Sequence, residues 1–355
     1  MGSTILVTGV SRHLGAGVAR RLADDPGVCR VLGLDVLSPG DDLGRVEFVR
    51  ADIRNAVVGR LLEHARVDTV VHLALSTAVT TGAARTSQKE ANVIGTMQLL
   101  AACQASPLLR RIVLRSTSEV YGSSAHDPAL FTEEQVAPRA RASGPVRDAL
   151  EVEHYLRAAQ RRRPDLTATT LRLAQVVGPN VHSRLLDYLQ LPVIPVPLGF
   201  DARLQLLHED DAIEAIVAAA VGPMVGVVNV AADGVITLRQ AAALAGRTYL
   251  AVPSHSGALM TILARLSGSS SFSAADIEFL RYGRVIDTTR VRERLGFTAR
   301  WDTKAAFLDA AKAFAPPVPA VGSVRDWAVA LGVAVRSAAA STRETRETRE
   351  TRETR

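Results

Sequence analysis

The stretch TILVTGVSRHLGAGVARRL, Thr4 to Leu22, decides the fold. Ile5, Leu6 and Val7 form the apolar run of a buried parallel strand, and Gly9 to Gly15 reads as a tight turn. Val18, Ala19 and Leu22 then give the inward face of an amphipathic helix. A strand, turn and helix in this order make an anion cradle, because backbone N–H groups at the helix start point into the turn and the helix dipole favours a pyrophosphate there. The candidate cofactor contacts of the turn are Gly9, Ser11, Arg12, His13, Leu14 and Gly15. The next strand, VCRVLGLD, ends in Asp35, 20 residues after Gly15. An acid at that place accepts from the adenosine ribose hydroxyls and repels a 2′-phosphate, which points to NAD. Arg12 complicates this, since a guanidinium beside the ribose welcomes a 2′-phosphate and leaves NADP as the alternative. Asp35 as a plain cap of the turn is the competing reading.

The rest of the chain keeps the same alternation. Strands read at Ile5 to Thr8, Arg30 to Leu34, Arg45 to Arg50, Thr69 to Leu73, Arg111 to Ser116 and Thr169 to Leu173, with helical patterns between them, including Asn92 to Gln104. This predicts an α/β fold, a doubly wound parallel Rossmann sheet, with ligands at the carboxyl ends of its strands. Polar residues punctuate the chain there: Asp52 after the third strand, Ala74 to Thr77 after the fourth, Ser116 to Gly122 after the fifth.

Composition narrows the function classes. The chain has 355 residues and 47% hydrophobic content, enough for one large or two unequal domains. No apolar run approaches the roughly 20 residues of a membrane span, and the first strand starts too early to leave room for a signal peptide. Cys29 and Cys103 have no metal-ligand spacing, so no metal site and a reducing, cytoplasmic setting are expected. The net charge of +6 is scattered rather than gathered into a nucleic-acid module, so a small-molecule substrate is the expected partner. Arg161, Arg162 and Arg163 close a helix, where cations suit the dipole. The lysines are only three: Lys89, Lys304 and Lys312.

TGVSRHLG, ADIR, VVHLA, NVIGT, STSEVYG, LRLAQVVGP, LHEDDAIEAI, GVVNVAADGVITL and RERLGF, in this order, resemble the landmarks of the extended short-chain dehydrogenase/reductases, the NAD-dependent epimerase/dehydratase group. The resemblance runs to about residue 300, with Arg12 in place of the turn's middle glycine. It implies that Asp52 and Ile53 border the adenine, that Leu73, Ala74 and Leu75 line the cofactor path, and that Asn92 and Ser116 sit beside the cofactor. It also implies hydride transfer between a substrate carbon and the nicotinamide, with a tyrosine handling the hydroxyl proton and a lysine four residues on stabilising the phenolate, whose free pKa is about 10. Thr117 falls at the substrate-orienting position and Glu119 at an acid used in proton chemistry by dehydratases and decarboxylases. Turn capping is the competing role for both.

The chain departs from that pattern at its centre. Residues four beyond the five tyrosines are Ala125, Ala159, Pro192, Pro253 and Ile286, so no Tyr-x-x-x-Lys exists. The expected helix, SGPVRDALEVEHYLRAAQ, admits two registers. Glu151 at the helix-glutamate place puts Ser143 and Arg147 at the Tyr and Lys places; Glu153 there puts Pro145 and Ala149. Arg147 holds its proton and can only bind a ribose or an anion; Glu119 and His154 are the remaining proton carriers by sequence. On the substrate side Gln175 replaces the family amide, and Leu204 stands where a diphosphate-binding arginine is usual, with Arg203 one residue away.

Residues 1–180 plus 206–233 are assigned to the cofactor domain, 181–205 plus 234–340 to a smaller, mostly helical substrate domain, and 341–355, a Thr-Arg-Glu repeat, to a disordered tail. LPVIPVPLGF, rich in proline, reads as a wall of the substrate cleft, and Ala258 to Leu266 as a lid helix. Homodimerisation through the helix after NVIGT and the helix lacking Tyr-x-x-x-Lys is implied by the resemblance. The functional expectation is an NAD(P)-dependent epimerase/dehydratase-like oxidoreductase acting on a sugar nucleotide or related hydroxyl or carbonyl compound. A catalytically silent NAD(P)-binding sensor or scaffold is its rival.

Overall fold

The computed structural model describes residues 2–76, 82–135, 142, 144–191, 193–253 and 272–314. Thr77, Ser143, the lid segment 258–266 and the repeat 341–355 lie outside these residues. The first half contains β1 (Ser3–Thr8), α1 (His13–Ala23), β2 (Val28–Asp35), β3 (Glu47–Arg50), α2 (Val57–His64), β4 (Thr69–His72) and α3 (Gly82–Lys89). A π-helical turn (Glu90–Gly95), α4 (Thr96–Ala105), β5 (Arg111–Thr117), α5 (Gly144–Arg162) and β6 (Thr167–Leu173) follow. Next come β7 (Gln175–Val177), α6 (Arg184–Leu189), β8 (Val193–Pro197), β9 (Arg203–Leu204), β10 (Leu206–His208) and α7 (Glu209–Val221). The last elements are β11 (Gly226–Val230), β12 (Ile236–Thr237), α8 (Leu238–Leu244), β13 (Thr248–Val252), α9 (Ala274–Tyr282), β14 (Gly283–Arg284) and α10 (Thr303–Ala311).

Seven strands make one parallel sheet in the order β11-β6-β5-β4-β1-β2-β3. The apolar runs explain it. Ile5 to Val7 and Val70 to Val71 are fully buried, as central strands covered on both faces must be. α1 packs against α7, and α4 packs against both α2 and α5. The chain builds outward from β1 through β2 to β3, then crosses back to β4 and builds the other way. The carboxyl ends of β1 and β4 therefore flank the switch point, where such sheets bind ligands.

A second apolar core, with Leu185, Tyr188, Ile194, Leu204, Leu238, Ile277 and Phe307, is built from α6, β8, β9, β12, α8, β13, α9 and α10. Val193–Pro197 of the proline-rich stretch lies here, and none of the described residues of that stretch lines the cleft. Val193–Pro197 pairs in parallel with Thr248–Val252 in a two-stranded sheet, and Ile194 and Val196 point into the second core. Every strand of a two-stranded sheet is an edge, so the missing N–H groups of Pro195 and Pro197 cost little.

Candidate functional site

A cleft of about 760 Å³ opens at the switch point. Gly9, Arg12, His13, Leu14 and Gly15 form one wall; Leu73, Ser76, Arg115, Glu119 and Gln175 lie across the strand ends; residues 180–185, Asp187 and Tyr188 with Phe272, Asp276, Phe279 and Leu280 form the facing wall. The turn is shaped by two glycines. Gly9 has φ +85° and a Cβ there would lie 2.9 Å from the Ala74 nitrogen, while a Cβ on Gly15 would lie 2.0 Å from the Gly9 carbonyl oxygen. α1 starts at the N-cap Arg12 with no side-chain cap and no acid in its first turn. Its first N–H groups thus face the cleft without a side-chain acceptor, the arrangement that receives a phosphate.

Asp35 ends β2 beside the turn. Its Oδ2 accepts from the Ser11 N–H at 3.0 Å and the Ser11 hydroxyl at 2.7 Å, and its Oδ1 accepts from the Val36 N–H at 2.8 Å. Asp52 is bonded by Arg54, which holds its carboxyl below the usual range. Ile53 is capped by Gly95, where a Cβ would lie 2.7 Å from its Cδ1. Leu73 and Leu75 are buried, and the Ala74 backbone closes on Gly9. Asn92 is buried and clamps the β4 turn: its amide donates to the Ser76 carbonyl at 2.9 Å and its oxygen accepts from the Ser76 N–H at 2.9 Å. Asn92 also donates to Asp148, which takes both Nη groups of Arg85 at 2.8 and 2.6 Å.

A chain of hydrogen bonds links this clamp to the cofactor turn. The Leu73 N–H donates to Thr8 Oγ1 and the Thr96 hydroxyl to the Asn92 carbonyl, so Thr8 donates to His72 Nδ1 at 2.7 Å and His72 Nε2–H donates to Thr96 at 2.8 Å. Burial pushes the His72 pKa down to about 4, which keeps this one tautomer neutral.

Glu119 and Gln175 come together in the cleft, with the Gln175 amide donating to Glu119 Oε1 at 2.9 Å. Ser116, Thr117, Arg147 and Arg203 lie outside its lining, as do Ser11, Asp35, Asp52, Ile53, Ala74, Leu75 and Asn92. Ser116 faces α5 and donates to Glu153 at 2.6 Å. Thr117 caps the turn by accepting from the Glu119 N–H at 3.2 Å. Arg147 stands exposed on α5 and pairs with Glu151 at 3.4 Å. Arg203 donates to the Ala129 carbonyl beside a separate cavity of about 280 Å³, while Leu204 turns into the second core. The inward glutamate of α5 is Glu153, which pairs with the buried Arg172 at 2.7 Å. With Glu153 at the helix-glutamate place, Pro145 and Ala149 stand at the Tyr and Lys places. The described tyrosines give no substitute: Tyr121 donates to Asn229, Tyr188 to the Pro195 carbonyl, and Tyr155, Tyr249, Tyr282 and the three lysines do not line the cleft.

Arg115 was missed by sequence reasoning. It ends the apolar run of β5 inside the cleft, its Nε is buried without a partner, and one Nη reaches only the Leu75 carbonyl at 3.4 Å. Burial, then the charge of Arg12, lowers its pKa to about 10. The available signal was a charged residue at the carboxyl end of an otherwise apolar strand.

A parallel seven-stranded sheet with a glycine-shaped turn at its switch point defines a protein of the Rossmann fold. Residues 5–231 match the NAD dependent epimerase/dehydratase family, and the chain belongs to it. It is 45% identical over 309 residues to the uncharacterized protein Rv0501 of Mycobacterium tuberculosis strain H37Rv, covering 86% of this chain and 82% of that one. Among solved structures it is similar to UDP-glucose 4-epimerase of Thermotoga maritima with UDP-glucose, at TM-score 0.68 and 19% identity over 88% of this chain and 98% of that one. It is also similar to Thermus thermophilus UDP-glucose 4-epimerase in complex with NAD, at TM-score 0.67 and 21% identity over the same shares of the two chains.

Proposed function

We propose that the protein binds NAD across the switch point and acts as an NAD-dependent oxidoreductase on a hydroxyl or carbonyl carbon of a sugar nucleotide or related substrate. The observation that carries this reading is the cleft itself: an uncapped helix N-terminus and two space-limited glycines at one wall, and the Glu119–Gln175 pair facing them. The bound nicotinamide would supply hydride acceptance and donation. Gly9 to Gly15 would hold the diphosphate on backbone N–H groups. Asp35, oriented by Ser11, would accept from the ribose and repel a 2′-phosphate. Glu119 would take or return the hydroxyl proton, and Gln175 would keep its carboxylate turned to the cleft. A sugar-nucleotide substrate is supported by the ligands named for the similar epimerases.

Calorimetric titration with NAD, NADH, NADP and NADPH tests the cofactor, with one NAD-type ligand expected at micromolar affinity or tighter. Glu119→Gln should leave that affinity unchanged and lower turnover by about 10² to 10⁴. A specific observation favours a second reading, a cofactor-binding sensor without turnover: among the described residues no lysine lines the cleft, and the tyrosine that does, Tyr188, donates its hydroxyl to the Pro195 carbonyl. Tight NAD binding with no change of its redox state across alcohols and sugar nucleotides would select the sensor.

A further inference from the structure

Three arginines line the cleft, and two of them, Arg12 and Arg115, have no ion pair among the described residues; Arg184 is paired with Asp276 at 3.0 Å. A guanidinium carries five donors in a planar fork. Arg115 uses one of them, on a long contact to the Leu75 carbonyl, and its Nε has no acceptor among the described residues. A half-buried cation left this open is costly unless a ligand brings the acceptor. The charge of Glu119 acts on Arg115, but no carboxylate of the cleft bonds it among the described residues. Glu119 is bonded by Gln175, Asp276 is held by Arg184, and Asp187 stands on the facing wall.

Position tells which ligand group belongs there. Neighbouring strands lie about 4.8 Å apart, and β4 separates β5 from β1, so the end of β5 lies about 10 Å across the sheet from the phosphate turn. Arg12, at the start of α1, stands at the diphosphate end; Arg115, beside Glu119, stands at the reacting end. The fork of a guanidinium matches a carboxylate in a bidentate pair.

We propose that Arg115 is a substrate-recognition residue that binds a carboxylate of the substrate beside Glu119, so that the substrate is a polyhydroxy acid of the uronate type rather than a neutral sugar. This rests on the cofactor reading above, and the test separates the two. NAD affinity is measured first, by calorimetry on the full chain, for the wild type, Arg115→Gln and Arg115→Lys. Each NAD-saturated protein is then titrated with D-glucuronate and with D-glucose. The expected result is at least tenfold tighter binding of glucuronate than glucose by the wild type, loss of that difference in Arg115→Gln, partial retention in Arg115→Lys, and NAD affinities within twofold of one another. Equal affinity for the two sugars, or binding of neither, overturns the proposal while leaving the cofactor reading intact. Parallel loss of NAD and glucuronate in Arg115→Gln also overturns it and assigns Arg115 to the cofactor. Failure of the wild type to bind NAD overturns the cofactor reading, and the proposal with it.

Discussion

His72 is a residue whose protonation the fold can tolerate in one state only. Its Nδ1 accepts from Thr8 and its Nε2–H donates to Thr96, so a second proton on Nδ1 forces the Thr8 hydroxyl to turn and accept instead of donate, and leaves an unpaired buried charge. The folded pKa of about 4 lies below the unfolded value of 6.5, so the unfolded chain binds more protons between those values. The contribution to stability is complete above pH 6.5 and is lost as pH falls towards 4, by about 3 kcal/mol. Urea unfolding at pH 4.5, 5.5 and 6.5 should show this slope in the wild type and a flatter one in His72→Gln; equal slopes would exclude His72 as the cause. Asp35→Ala belongs to the same scale. In the proposed cofactor site it removes the ribose acceptor and the repulsion of a 2′-phosphate together, so calorimetry should show NAD weakened about tenfold or more and NADP less. Asp35 was legible because it ends a strand at a fixed distance from the turn. The Glu153–Arg172 pair was not, because its partners lie on different elements and meet only when α5 packs on the sheet. Glu153→Gln leaves a buried guanidinium without its counter-charge and should cost about 3 kcal/mol in denaturant unfolding.

Among the elements, the β1–turn–α1 unit was the most legible, since apolar run, glycines and amphipathic helix follow one another without a gap. Its tightness was not legible. Only the fold shows that the Gly15 Cα sits directly against the Gly9 carbonyl. Gly15→Ala must therefore open the turn, and we expect at least a tenfold loss of NAD affinity with a destabilisation of about 1–3 kcal/mol. Unchanged cofactor binding in a folded Gly15→Ala protein would mean that the diphosphate does not sit on this turn. α5 illustrates the opposite case. Its helical pattern was clear, yet Glu151 and Glu153 lie only two residues apart and either fits a helix face in a sequence. Burial decides between them, because Ala149 and Val152 pack inward with Glu153 while Arg147 and Glu151 pair outside. β8 was misread for a related reason. Proline spacing excludes a central strand, but it carries no information on which small sheet an edge strand joins.

At the scale of the molecule, the two cores are bolted together at the start of α7. Asp211 accepts from the N–H groups of Arg300 and Trp301, each at 3.0 Å. His208 stacks on Trp301 with ring centroids 4.3 Å apart and reaches Asp309 at 3.2 Å. These residues read in the sequence as ordinary helix-start polar groups, because their partners follow about 90 residues later. The cleft lies between the same two cores, with the turn on one and α6 and α9 on the other, so a rigid bolt fixes the width of the site. We expect a single cooperative unfolding transition in scanning calorimetry. NAD at one hundred times its Kd should raise it as a whole by about 2.7 kcal/mol of stability. Asp211→Ala removes both acceptors from the bolt while touching no residue of the cleft. It should split or broaden the transition and lower substrate affinity more than NAD affinity, because in the proposed reading NAD rests on the first core and the substrate reaches both. Two transitions in the wild type, or an Asp211→Ala protein that unfolds as sharply as the wild type, would mean that the cores are coupled elsewhere.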